Sequence, residues 1–288
     1  MANFAIAGCS GFVAPRHLRA IREVGGTVRA FLDPLGAPSN GLPDEARFFG
    51  SEGEFERHLL DLRAGPPARR VDFVSVCSPN DLHERHVRLA FRAGAAAVCE
   101  KPIVVDPRAL DGLRAAEEES GRRVFTVLQL RLHPALLALR ARLPSRPPRG
   151  RHEVALSFLT RRGPAYFDSW KGDEARSGGI AMNIGVHYFD LLLWLFGRAE
   201  GVEVRRRERG TLEGSLDLER ARVRWILSVG SDGPPARRLA VDGEEVDFSS
   251  GLDDLHTAAY REILAGRGPG IEEARPSVEL VDRIRRSP

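Results

Sequence analysis

Between the apolar stretch Phe4–Ala7 and a helix opened by Pro15, the chain reads Gly8-Cys-Ser-Gly11-Phe-Val-Ala14. A strand, a turn of small residues and a helix, in that order, leave few folds open. Small residues let the backbone come close to a ligand, and the start of the helix offers free N–H groups and a positive dipole end to an anion. Asp33, 25 residues after Gly8, closes the next strand-like run, Val28–Leu32. A carboxylate there accepts hydrogen bonds from a dinucleotide ribose and repels a 2′-phosphate. Pro34, not an arginine, follows it. The pattern predicts a dinucleotide-binding βαβ unit and favours NAD over NADP.

The alternation continues through the first half. Strands are expected at Arg47–Phe49, Val71–Cys77, Ala95–Cys99 and Val124–Leu128. Helices are expected at Pro15–Val24, Glu54–Arg63, Leu82–Ala93 and Pro107–Ser120. Continuous apolar strands between helices imply a parallel sheet covered on both faces. Ser145–Gly150 reads as a linker. Then the pattern changes. Glu153–Thr160 alternates like a half-buried strand, and a Gly/aromatic/charged loop runs over 161–182. A helix is expected at Asn183–Phe196, with Trp194 and Phe196 in the core. Strand-like runs follow at Val202–Arg207, Gly214–Leu218, Val223–Val229 and Arg238–Val241, with helices at Leu255–Ala265 and Val278–Arg285. Successive strands of this kind suggest an antiparallel sheet.

With 288 residues, 42% hydrophobic and 29% charged, the chain is long enough for about two globular domains. The longest apolar run, Leu191–Phe196, is six residues, far below the ~18 of a membrane helix. The chain opens directly on a strand-like segment, so no leader and no membrane are expected. Cys9, Cys77 and Cys99 lack zinc spacing and read as reduced, buried thiols of a cytoplasmic protein. The net charge of +3 comes from scattered basic and acidic residues, which argues against nucleic acid. Two of the 43 basic residues are lysines, Lys101 and Lys171. Where arginine replaces lysine nearly everywhere, the remaining lysines are candidates for sites that a planar guanidinium cannot serve, against chance survival.

Ser78-Pro79-Asn80 and Glu100-Lys101-Pro102 each follow a buried strand directly, at the carboxyl ends where open α/β sheets bind ligands. Asn183 and His187, four apart, are expected on one helix face, and histidine suits proton transfer near neutral pH. Gly178, Gly179 and Gly185 suggest close approach near that helix start. His83, Glu84 and His86 show no third ligand, so no metal is expected.

Taken in order, Gly8/Gly11/Ala14, Asp33, Ser78-Pro-Asn80, Glu100-Lys101-Pro102 and Gly185-x-His187-x-x-Asp190 resemble the Gfo/Idh/MocA oxidoreductase family over essentially the whole chain. The resemblance implies an α/β Rossmann domain over 1–128, followed by an α+β domain with a mostly antiparallel sheet over 129–288. It also implies bound NAD held by Gly8, Ser10, Gly11, Phe12, Val13, Asp33, Ser78, Pro79, Asn80, His83, Glu100, Lys101 and Gln129. Ala14-Pro-Arg-His-Leu18, Leu128–Pro134, Ser169–Glu174, Ser177–Ile180, Leu252–His256 and Ala274–Ser277 are similar to a subfamily, the UDP-N-acetyl-glucosaminuronate 3-dehydrogenases of surface polysaccharide synthesis. That likeness implies His187 as base and Lys101 at the reacting oxygen. It places the UDP-sugar acid against Lys101, Arg131, Arg161, Tyr166, Trp170, Lys171, Asn183 and His187. Guanidinium groups suit phosphate and carboxylate, and aromatics stack on uracil. Gln129 and His133 are expected within reach of the same substrate. Some members reoxidise NADH in place with 2-oxoglutarate, and a homotetramer or homodimer is implied. Asn183 stands where the wider family commonly has Asp, and the chain is trimmed near 143–151 and after Arg209. Two other readings stay open: a family member acting on another sugar, inositol or nucleotide sugar, and a non-catalytic NAD-binding sensor.

Overall fold

A computed structural model describes residues 1–37, 43, 46–143 and 150–287. Most of the linker expected at Ser145–Gly150 lies outside them. The chain divides into two compact units, one of Met1–Val127 and His256–Glu273, the other of Leu128–Leu255 and the residues from Ala274 on.

The first unit is a sheet of six parallel strands: β1 (Asn3–Ala7), β2 (Thr27–Leu32), β3 (Arg47–Phe49), β4 (Phe73–Val76), β5 (Ala96–Cys99) and β6 (Val124–Thr126). They lie in the order β3-β2-β1-β4-β5-β6. That is the doubly wound order, with its switch point between β1 and β4. Helices α1 (Ala14–Glu23), α2 (Glu52–Ala64), α3 (His83–Arg92) and α4 (Ala109–Ser120) make the crossovers. Every residue of β1 is buried, as a sheet covered on both faces requires. Pro15 opens α1, which buries Ala14, His17, Leu18 and Ile21 along one stripe.

The second unit contains α5 (Pro134–Arg142), β7 (His152–Leu159), α6 (Pro164–Asp168), α7 (Glu174–Ser177), α8 (Val186–Phe196), β8 (Ala199–Glu208), β9 (Thr211–Leu218), β10 (Ala221–Ser228), β11 (Ala236–Val241) and β12 (Glu244–Val246). Its sheet runs β12-β11-β7-β10-β9-β8. All neighbours are antiparallel except β7 and β10, which are parallel. Along β7 and β10 buried residues alternate with exposed ones at first, so one face takes the core. Phe189 of α8 meets the buried Trp225 of β10 edge to face, with centroids 5.2 Å apart. A π turn, Ala181–Gly185, leads into α8. A Cβ on Gly185 would stand 2.7 Å from Leu227 Cδ1 and from Phe189 Cε2, which is the close approach its glycine permits.

The chain then returns to the first unit through α9 (Leu255–Leu264), and α10 (Ile271–Arg286) carries it on. Tyr260 and Ile263 of α9 are buried in the same apolar cluster as Phe4, Ile6, Ile21 and Phe31.

Three expectations are corrected. The loop over 161–182 contains α6, α7 and the start of a π turn, pieces too short to show a period. Trp194 is only partly buried, with the Arg140 guanidinium 4.2 Å over its ring, whereas Phe196 is buried as expected. Finally, the helical stretch Glu174–Phe196 is 23 residues long and apolar enough, by length and composition, to cross a membrane. An unbroken-run criterion misses it because polar residues interrupt the apolar ones. Of its most apolar window, 67% is buried inside the fold, so its apolar surface is spent on the core.

Candidate active site

The turn after β1 is built around Gly8, whose φ of 86° is open to glycine and strained for other residues. A Cβ there would also run into the backbone nitrogen of Ser78, so the loops after β1 and β4 touch backbone to backbone at the switch point. Asp33, after β2, is buried. Its Oδ2 accepts from Ser10 N (2.9 Å) and its Oδ1 from Leu35 N (2.9 Å). Two backbone donors thus fix the carboxylate, and each oxygen keeps a lone pair for a ribose hydroxyl. Phe12 is 73% exposed at the mouth of this turn, with the Arg16 guanidinium 5.0 Å over its ring, and Val13 is half-buried. The glycines of this turn and the oriented acid fit a dinucleotide.

The loops after β4 and β5 are pinned by histidines. Buried His83 lies with Nδ1 2.6 Å from the Pro102 carbonyl and Nε2 2.9 Å from the Ser78 carbonyl. Both ring nitrogens face backbone oxygens, and the neutral ring that burial favours donates to one of them, so His83 sits between the two loops. His86 Nδ1 lies 2.8 Å from Ser78 Oγ, and burial lowers its pKa to about 4. Asn80 is buried beside them. Lys101 is half-buried, with the buried Glu100 before it.

Glu100 Oε1 lies 2.9 Å from His17 Nε2 and 3.1 Å from His256 Nε2. The three ligand atoms lie within 4.8 Å of one another, near enough for a metal ion. The separations are those of N–H···O bonds. His17 Nδ1 lies 2.8 Å from the Tyr260 hydroxyl, which lies 2.6 Å from Ser75 Oγ. The motifs containing His17 and His256 were visible in the sequence. Their meeting on Glu100 was not, since 156 positions separate Glu100 from His256.

In the second unit, Asn183 falls in the π turn and His187 on the first turn of α8. Asn183 Nδ2 donates to the Tyr166 hydroxyl (3.1 Å), which brings the 161–182 segment to the start of α8. His187 is half-buried on the first turn of α8. Lys171 Nζ lies 5.8 Å over the Trp170 ring, and burial, then the charge of Arg162, lowers its pKa. Arg162 also acts electrostatically on Tyr166 and Tyr188. Arg161, the arginine singled out in the sequence, is instead exposed and 3.9 Å from Asp232. Arg131 is held by the buried Asp190 through two bonds, Nε to Oδ2 (2.9 Å) and Nη2 to Oδ1 (2.6 Å). His133, expected near substrate, is a helix cap: its Nδ1 accepts from Ala135 N and its Nε2 donates to the Ser250 carbonyl. Gln129 Oε1 is a buried acceptor without a partner among the described residues.

The profile of an oxidoreductase family with an NAD-binding Rossmann fold (GFO_IDH_MocA) matches residues 2–128, and that of its C-terminal alpha/beta domain matches 152–228. The WlbA (WbpB) dehydrogenase of Thermus thermophilus is 48% identical, over 100% of this chain and 96% of that one, with a TM-score of 0.93. The chain belongs to the Gfo/Idh/MocA oxidoreductase family. That Thermus enzyme was crystallised with NAD and alpha-ketoglutarate, and with NAD and UDP-GlcNAcA. A D-apiose dehydrogenase of Paraburkholderia graminis is 31% identical over 67% of this chain and 49% of its own length. An inositol 2-dehydrogenase of Rhizobium meliloti is 30% identical over 50% of this chain and 42% of its own length. The chain thus spans about half the length of these curated relatives. Within the family, the first unit is the NAD-binding Rossmann fold, and the sheet order found here is the one that family description requires.

Proposed function

We propose that this chain oxidises the 3-hydroxyl of UDP-N-acetyl-glucosaminuronic acid to the 3-keto sugar with NAD, as a step of surface polysaccharide synthesis. The observation that carries the reading is the 48% identity, over nearly the full length of both chains, to an enzyme crystallised with NAD and UDP-GlcNAcA. When bound, NAD supplies the hydride acceptor at C3 and, once reduced, a hydride for 2-oxoglutarate. The rest of the chemistry belongs to the chain. The turn at Gly8 and Gly11 takes the pyrophosphate, and Asp33 holds the adenosine ribose. Lys101 hydrogen-bonds the reacting oxygen and favours the negative charge that develops on it. His187 takes the hydroxyl proton. Asn183 and Tyr166 hold the 161–182 segment in place, and Lys171, beside Trp170 and Arg162, meets the anionic substrate. In this reading Arg131 supports α8 through Asp190 and does not touch the sugar, and Arg162 replaces Arg161 at the substrate.

The same proposal includes a cytoplasmic location, with which three free, buried thiols are in keeping. The protein is taken to work as a homotetramer or homodimer, which its molar mass in solution will report. The deciding experiment incubates the protein with NAD, 2-oxoglutarate and UDP-N-acetyl-glucosaminuronic acid and reads products by mass spectrometry. The expected result is a sugar lighter by one pair of hydrogens, with 2-hydroxyglutarate in equal amount. Absence of both products, with NAD binding intact, rejects this substrate and turns the search to neutral sugars and inositols.

A further inference from the structure

We propose that Glu100 is the positioning residue of Lys101: a carboxylate, held on one oxygen by two buried histidine N–H donors, that ties the lysine's backbone through its other oxygen and carries its charge next to that lysine in the chain. The inference rests on the reading of Lys101 as the residue at the reacting oxygen.

The geometry sets the direction of the bonds. His17 Nε2 and His256 Nε2 both point at Glu100 Oε1, and the Lys101 N–H reaches Oε2 at 3.3 Å. A carboxylate only accepts, so each of these nitrogens carries the hydrogen. His17, with Nε2–H given to Glu100, accepts at Nδ1 from the Tyr260 hydroxyl, whose oxygen in turn accepts from Ser75. The chain from Ser75 to Glu100 therefore has a single sense, with one net negative charge at its end. His256 keeps Nδ1 buried and without a hydrogen-bond partner among the described residues. An orphaned buried nitrogen is costly, so the bond to Glu100 is the polar contact that accounts for a histidine at this place.

A carboxyl buried without donors would take up a proton and lose its charge. Here burial pushes Glu100 up, but the hydrogen bonds from His17 and His256 outweigh it and hold the carboxyl well below the usual range. Burial also lowers His17, which keeps that ring a neutral donor. Beyond Lys101, the Pro102 carbonyl is fixed by His83, and the charges of Glu100 and Lys101 act on that ring in opposite senses. The titratable groups that face Glu100 are His17 from α1, Cys77 after β4, His83 from α3, Cys99 from β5, and His256 and Tyr260 from α9. Burial raises both thiols and the phenol, so they stay neutral and Glu100 supplies the negative charge of the set.

A chain with two lysines makes the test direct. The pH dependence of amine acylation is read separately for the Lys101 and Lys171 peptides by mass spectrometry, beside the pH profile of kcat. In Glu100→Gln the apparent pKa of Lys101 is expected to fall by about one pH unit, with Lys171 unmoved and the alkaline limb of kcat shifted equally. His256→Leu should move Lys101 in the same direction, and His256→Gln, which keeps an N–H for Oε1, should restore it. An unchanged Lys101 titration in Glu100→Gln, or in His256→Leu should Glu100→Gln not fold, overturns the proposal. A Lys101 titration that moves while kcat and its pH profile stay fixed leaves the clamp standing and sinks the role of Lys101 in the reaction.

Discussion

Lys101 and His187 carry the chemistry proposed here, and each is expected to fail in its own assay. Lys101→Ala and His187→Ala should each cut kcat by at least about 100-fold while NAD titrates as in the parent protein. Activity retained in either variant removes that residue from the mechanism. Asp33→Ala should do the reverse, weakening NAD by roughly 10-fold or more, the worth of a charged hydrogen bond. Its carboxylate also accepts from Ser10 N and Leu35 N, so part of the loss falls on the turn itself. Calorimetric NAD affinity checks it, and an unchanged value rejects the ribose contact. The residues at the strand ends were legible because each follows an apolar run directly. The partners that hold them were not, because Glu100, His17 and His256 come together only through tertiary structure.

At the scale of elements, the Arg131–Asp190 pair joins the turn before α5 to α8. Asp190 is buried, and burial raises its pKa despite the guanidinium. Arg131→Ala would leave that carboxyl unpaired, and breaking a buried pair costs about 3–5 kcal/mol. The double variant Arg131→Met with Asp190→Leu should recover most of this in a denaturant titration, and a double variant as unstable as the single one refutes the account. The same scale shows where sequence patterns stop informing. β4 and β5 could be read because both faces are covered and the runs are unbroken. β12 was missed because its three residues, Glu244–Val246, are polar or half-buried. Helix α10 begins at Ile271, not near Val278. Pro276 lies inside it, and a proline there forfeits a backbone bond and normally argues for a break. Buried Ile271, Ala274, Val278 and Val281 supply the apolar stripe that carries the helix through it.

For the molecule as a whole, the buried histidines set the acid side of stability. Burial holds His17, His83 and His86 below their ordinary pKa, His86 at about 4. The unfolded chain therefore binds more protons than the folded one as pH falls below about 6.5. Stability is complete above that value and is lost progressively below it. Glu100, depressed in the folded state, adds a further loss below the ordinary carboxylate range. The melting temperature should drop by at least about 3 °C between pH 7.5 and pH 5. A flat profile over that interval would mean that these rings are protonated in the native state.

The first unit is not continuous in sequence. Tyr260, in its core, and His256, on its buried carboxylate, come from α9, and the Pro269 carbonyl accepts from Thr126 N at the edge strand β6. Synthesis runs from the amino terminus, so the nascent chain must pass through the whole second unit before these residues exist. Until residue 269 has left the ribosome, the nucleotide-binding half waits with an open edge and an unclamped acid. Cofactor can therefore report on completion: a nascent chain halted before α9 should bind it poorly, and the released protein fully.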